Sequence, residues 1–139
     1  MALIKYTQAD FDSFPVVNGI RQCPSGDYSG IKSFGGRCSF GEGCSFGERC
    51  SFGERCSFGK GCSFGKECSF GNGCSVFGKA FTSLTQAQLP GLYTVKKWTL
   101  ADGGALYEAG CFHGTYEEAI ARAGDRAAYR KAIEFLASL

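Results

Sequence analysis

The sequence has no apolar run near the ~20 residues that a membrane-spanning helix needs, so no such helix is expected. Its N-terminus, Met1-Ala2-Leu3-Ile4-Lys5-Tyr6, lacks the basic-then-apolar order of a secretory signal, and a cytoplasmic protein is the expectation. Charge of one sign is missing as well. The 15 basic and 13 acidic residues leave a formal net charge of +2, and they are interleaved rather than gathered into runs, so no long-range field draws the chain to nucleic acid or membrane. There is one histidine, His113, with no catalytic constellation around it. A chain of 139 residues has room for one compact domain, or for one solenoid with a small cap, but not for two cores of ordinary size.

Cysteine, by contrast, is abundant: there are nine, and seven occupy one repeated position, Cys38, Cys44, Cys50, Cys56, Cys62, Cys68 and Cys74, each followed by serine. Phenylalanine keeps the same step of six from Phe34 to Phe70, each followed by glycine. Self-similarity of this kind sets the architecture before any propensity does. Within a unit, Cys and Phe flank a Ser, the period-two alternation of a short strand with Cys and Phe on one face. The following Gly and two mostly polar residues read as a turn, with the glycine supplying the corner's backbone angles. A helix is excluded, because a glycine in every unit would cost ~1 kcal/mol each relative to alanine. Three-residue strands bury nothing alone, so successive coils must stack.

Residues 32–75 resemble the hexapeptide-repeat left-handed parallel β-helix, whose unit sets a small residue two before a large apolar one and then turns. The resemblance implies three units per coil, residue i above i+18, and columns such as Phe34-Phe52-Phe70, Phe40-Phe58 and Cys38-Cys56-Cys74. Phenylalanine stands where that family prefers Ile, Leu or Val. Charges at Glu42/Lys60, Glu48/Lys66 and Arg49/Glu67 are complementary at this offset, but an offset of twelve serves them about as well.

The fold class expected is mainly β: a short parallel β-helix, or β-solenoid, of about three coils with a C-terminal β-β-α-α module. Residues 1–15 form an N-terminal cap, 16–81 the solenoid, 82–91 a linker and 92–139 the module. Val16-Val17-Asn18-Gly19-Ile20 reads as an irregular lead-in, and Val76 as an extra residue that breaks the register. In the module, 92–100 and 105–112 make a hairpin, Thr115 and Glu118 form a capping box, and Gly124 stops the first helix. Asp125 caps a last helix with apolar positions Tyr129, Ala132, Ile133, Leu136 and Leu139. At roughly 50 residues the module is near the limit for unaided folding, and it leans either on the last coil or on a second copy of itself in a homodimer.

Zinc sites use cysteine pairs two to four residues apart, not one thiol every six, and parallel Cβ directions on stacked strands suit a disulfide poorly. Reduced, buried thiols are the expectation, with no metal or cofactor. Enzymes of the hexapeptide family are often acyltransferases with a histidine base, but His113 lies outside the repeats. The serine rows differ from the threonine array of an ice-binding face, since charged corners flank them, and the glutamates offset the basic residues that nucleic acid would need. The first reading is then a non-enzymatic binding protein, with a hexapeptide-type acyltransferase or a nucleic-acid- or ice-binding solenoid as the alternatives. The tract from Val17 through Tyr28 into the Cys-Ser-Phe-Gly repeat also resembles small proteins of phages and bacterial mobile elements. That resemblance implies an inhibitor of a host defence complex, anti-CRISPR-like, acting on a host protein or ribonucleoprotein by steric occlusion. The candidate contact residues are Glu48, Arg49, Glu54, Arg55, Lys60 and Lys66 at the corners, and Lys96, Lys97 and Trp98 on the module's first strand.

Overall fold

Each Ser-Phe step of the repeat is extended and pairs in parallel with the step 18 residues on. In the computed structural model, which describes residues 3–89, 94–110 and 112–139, Ser33 pairs with Ser51 and Ser51 with Ser69. Ser39 pairs with Ser57 and Ser57 with Ser75, and Ser45 with Ser63. Three units therefore close one coil, and about three coils stack. The chain divides into two compact units, Met1–Ala80 and Phe81–Leu139.

The first unit contains α1 (Gln8–Ser13), β1 (Val16–Val17), β2 (Ile20–Cys23), β3 (Ser33–Phe34), β4 (Cys38–Phe40), β5 (Ser45–Phe46), β6 (Ser51–Phe52), β7 (Ser57–Phe58), β8 (Ser63–Phe64), β9 (Ser69–Phe70) and β10 (Ser75–Val76). Its interior is a ladder of rings. Phe34, Phe52 and Phe70 stack at 4.9 and 5.3 Å between centroids, Phe40 and Phe58 at 5.4 Å, and Tyr28, Phe46 and Phe64 at 5.6 and 5.1 Å. Rings within a coil meet edge to face, as Phe40 and Phe46 do at 4.9 Å, so every ring has both favoured aromatic geometries. Tyr6 continues one stack over Tyr28 at 5.3 Å, and buried Phe11 of α1 lies over Phe40 and edge-on to Phe34. Residues 1–15 thus extend the aromatic core at the N-terminal end.

The thiols line the same interior, and Cys38, Cys44, Cys50, Cys56 and Cys74 are at most 1% exposed. They do more than fill space. Cys56, Cys62, Cys68 and Cys74 each donate at 3.4 Å to the carbonyl of the glycine 21 residues earlier, Gly35, Gly41, Gly47 and Gly53. A weak donor is thereby placed against a carbonyl at each corner of the preceding coil.

Three sequence expectations change here. Val76 is no insertion: it pairs with Phe58, is buried, and fills the Phe position of the last unit. The glycine after each Phe is not the left-handed corner residue. That conformation falls two positions later, at Arg37, Gly43, Arg49, Arg55, Gly61, Glu67 and Gly73. The post-Phe glycine is required by close approach instead, since a Cβ on Gly59, Gly65 or Gly71 would stand 2.5–2.7 Å from the backbone of the preceding coil. Third, Val16-Val17-Asn18-Gly19-Ile20 is a regular hairpin, β1 antiparallel to β2, with Asn18 and Gly19 at φ 52 and 80°, as a primed two-residue turn demands.

The second unit is an antiparallel sheet with helices on one face. Its strands are β11 (Lys79–Gln88, whose first two residues belong to the first unit), β12 (Thr94–Leu100), β13 (Ala105–Ala109) and β14 (Phe112–Gly114), followed by α2 (Tyr116–Ala123) and α3 (Ala127–Ala137). Residues 82–88, expected as a linker, are thus strand, held by pairing to β12 from Phe81 to Gln88. The two expected strands are four: β11 is one addition, and Gly110 at φ 57° makes the other by turning the chain and setting Ala109 opposite Phe112. The expected start of the hairpin at Leu92-Tyr93 lies outside the described residues. Thr115 and Glu118 form the capping box of α2, and Gly124 ends it at φ 56°. Asp125 does not cap α3: Arg126 is the N-cap and makes no side-chain cap bond. Val95, Tyr107, Ala119, Ile133 and Leu136 share one core, while Leu139 stays 64% exposed.

Candidate binding surface

The corners carry the charge of the solenoid, and the 18-residue step decides who meets whom. Arg49 bonds Glu67 at 3.0 Å and Lys60 meets Glu42 at 3.6 Å, both pairs well exposed and each contributing ~0–1 kcal/mol. Glu48 and Lys66, complementary in sequence, make no ion pair among the described residues. Lys32 instead donates to the Glu48 carbonyl at 2.9 Å.

The remaining corner is different. Arg37 and Arg55 occupy equivalent places one coil apart, both exposed, both at left-handed φ of 57 and 58°, and neither in an ion pair among the described residues. The Arg21↔Cys38 pairing of β2 with β4 continues back one step to set Ile20 beside Arg37, and Val17 lies opposite Ile20. Asn18, Ile20, Arg37 and Arg55 together line one shallow cavity of about 190 Å³. An outward row results: Val17, Ile20, Arg37, Arg55. Of these, only Arg55 is a candidate protein contact on sequence grounds, Arg37 figuring there solely among the basic corner residues that a nucleic acid would need. The Asn18-Gly19 hairpin signal could have located Val17 and Ile20, but Arg37 joins them only through the coil register. Arg21, by contrast, is structural, since its Nη1 donates to the carbonyls of Phe11, Asp12 and Phe14 and it lies 5.2 Å over the Phe11 ring.

The module's candidates are placed otherwise than the sequence suggests. Trp98 is 1% exposed, its Nε1 donating to Glu108 Oε1 at 3.0 Å, with its ring 4.6 Å from that of Phe81. Lys96 is buried directly across from Glu108, 4.0 Å from its carboxylate. Lys97 donates from Nζ to the carbonyls of Leu136 and Leu139 at 3.1 and 3.2 Å, at the C-terminal end of α3. All three are engaged within the unit rather than presented to a partner. The alternation of lysine with aromatic and β-branched residues suggests one wet face, but side chains on both faces of β12 are engaged, Lys97 with the end of α3 and Lys96 and Trp98 with Glu108.

A larger groove of about 460 Å³ is lined by residues that include Phe14, Pro15, Gln22, Cys23, Pro24 and Ser39, and among these described residues there is no carboxylate, imidazole or amine side chain. Within the core, thiol hydrogen bonding with Cys23, and then burial, push the Cys38 thiol up to about 11. Bonding with Cys38 does the same to Cys56, also to about 11. Cys44 moves the other way, held below its ordinary range chiefly by its hydrogen bond with Cys62. His113 is exposed on β14, opposite Glu108 in the strand register. Among the described residues no group of three His, Cys, Asp or Glu side chains could hold a metal ion, and no helix is long and apolar enough to cross a membrane.

Fold and surface together define a β-solenoid with an aromatic and thiol interior and charged corners. Compared with protein-family models, with curated proteins and with solved structures, the chain finds no match in any of the three.

Proposed function

We propose that this chain is a non-enzymatic binding protein: a phage-encoded inhibitor of a host defence complex, anti-CRISPR-like, that works by steric occlusion. The observation that carries the reading is the division of labour within the repeat. Rings and thiols fill the interior, and the groups able to form ionic bonds stand on corners whose positions the 18-residue register fixes. Backbone hydrogen bonds from coil to coil hold those corners, as Arg37 N–H donates to Glu54 O and Arg55 N–H to Asn72 O. A surface ordered in advance loses little entropy on association. The likeness of the repeat to the left-handed hexapeptide β-helix, and of the tract to phage and mobile-element proteins, supplies the biological context. The partner is a host protein or ribonucleoprotein complex, contacted through the solenoid.

The test is expression of a tagged chain in a bacterium whose CRISPR system restricts a phage. Plaque formation should recover, and the effector complex should co-purify in stoichiometric amount. Undiminished restriction, with no complex retained on the tagged chain, would end the reading.

A further inference from the structure

The Val17, Ile20, Arg37, Arg55 row joins exposed aliphatic side chains to two guanidiniums. Val17 is 52% and Ile20 40% exposed, so the row begins with aliphatic surface that gains by being covered. It ends with two guanidiniums one coil apart that no carboxylate of the described residues neutralises, although Arg49 and Lys60 at the other corners each have one. Both arginines occupy backbone that glycine adopts freely and that Gly73 does occupy in the next coil of the same column. Keeping arginine there costs conformational energy, and strain of that kind collects at sites of function.

We propose that this row docks an acidic amphipathic helix of another protein, its apolar side chains on Val17 and Ile20 and its carboxylates on Arg37 and Arg55. The proposal rests on the binding reading above and adds the partner's chemistry. Spacing selects the helix. Neighbouring strands are ~4.8 Å apart, close to the 5.4 Å pitch of an α-helix, so side chains from successive helical turns fall on successive members of the row. An extended segment repeats every ~6.6 Å and drifts off it. Charge selects the acid, because guanidinium and carboxylate pair through two parallel hydrogen bonds. A second copy of this chain on the same row would bring four guanidiniums together. A nucleic acid would cover the aliphatic half with nothing complementary and hold only two cations.

The probe is a synthetic helix about 18 residues long, above the length at which isolated helices become marginal. It carries leucine at i and i+4 and glutamate at i+7 and i+11, and is titrated into the isotope-labelled full chain by NMR. Wild type should bind it, with shifts centred on Val17, Ile20, Arg37 and Arg55. The Arg37→Glu/Arg55→Glu variant should weaken binding at least tenfold, and a peptide with lysine in place of the two glutamates should recover affinity for that variant. The variant should fold, since Glu67 already holds the equivalent backbone at φ 60°. Should it not, Ile20→Ser, which keeps both arginines, must weaken the acidic peptide in its place. No binding by wild type, equal binding of acidic and basic peptides, displacement by a single-stranded oligonucleotide, or self-association that the charge reversal abolishes would each overturn the proposal. Retention of the host complex by the charge-reversed variant would overturn this site and leave the binding reading standing. Absence of any host complex would end that reading, and the peptide titration would still decide the site.

Discussion

Gly53 passes so close to Gly36 that a Cβ built on it would stand 2.5 Å from the Gly36 backbone nitrogen. Such a contact cannot be relieved by turning a side chain, because both surfaces are main chain. Gly35 is the internal control: it occupies the same position of the repeat one coil earlier, and a Cβ there meets nothing within 4 Å. Gly53→Ala should therefore destabilise the solenoid by about 1–3 kcal/mol, the usual cost of overpacking. Gly35→Ala should stay within about 0.5 kcal/mol of wild type. Urea unfolding of the two variants side by side checks both, and equal midpoints would refute the close-approach account.

The left-handed corners make a separate prediction. An L-residue in that conformation costs about 1–2 kcal/mol, while glycine's extra freedom in the unfolded chain costs about 0.5–1, so Arg55→Gly should leave stability unchanged or raise it by up to about 1.5 kcal/mol. Arg49→Gly relieves the same strain but forfeits the ion pair with Glu67, worth ~0–1 kcal/mol, and should gain less. A differential scan that ranks Arg49→Gly above Arg55→Gly would contradict the assignment of the Arg49–Glu67 pair as the corner's compensation.

The pH dependence follows from the buried thiols. Cys38 and Cys56, ordinarily near 9.0, rise to about 11 in the fold, and Cys50 and Cys74 move in the same direction. Above about pH 9 the unfolded chain loses these protons while the native one keeps them, so unfolding is increasingly favoured. The stabilisation from the raised thiols is complete below pH 9 and declines as pH climbs through 11, whereas Cys44, lowered by its bond with Cys62, adds stability as pH rises toward 9 and so acts below that window. Urea midpoints should fall between pH 9 and 11. Replacing Cys56 with alanine should flatten that slope as well as lower the plateau.

Much of the first unit was legible because burial there follows the simplest rule, one face of a two-residue alternation. The inward Cys and Phe and the outward Ser stem from it, whereas the coil of 18 is what the resemblance to the hexapeptide β-helix implied and the pairing of Ser39 with Ser57 bears out. What escaped depended on residues distant in sequence. The need for glycine after Phe arises from a coil 18 residues away, not from its own backbone angles. β11 carries mostly Thr, Ser, Gln and Ala after Phe81, too polar to announce a strand, and is extended because β12 pairs with it. Trp98 beside two lysines has the look of a contact patch, and only the register that sets Lys96 across from Glu108 shows why these groups are interior. On the surface, Arg55 was readable as a charged corner, while its alliance with Arg37 and Ile20 required the stacking of coils onto the β1–β2 hairpin.

Lys97 separates a structural from a recognition role most cleanly. Its ammonium donates to the carbonyls of Leu136 and Leu139, where the last helical carbonyls lack intrahelical donors and the helix dipole favours a cation. Lys97→Met preserves the aliphatic stem and removes only that charge and its bonds, so the second unit should lose about 0.5–1.5 kcal/mol, with fraying confined to the last turn of α3. Hydrogen exchange should accelerate at Ala137, Ser138 and Leu139 and leave the solenoid amides untouched. Capture of the partner complex should be unchanged, because the docking row lies wholly within the first unit. Loss of partner binding without faster exchange in α3 would make Lys97 a contact residue after all and count against the arginine row as the principal site.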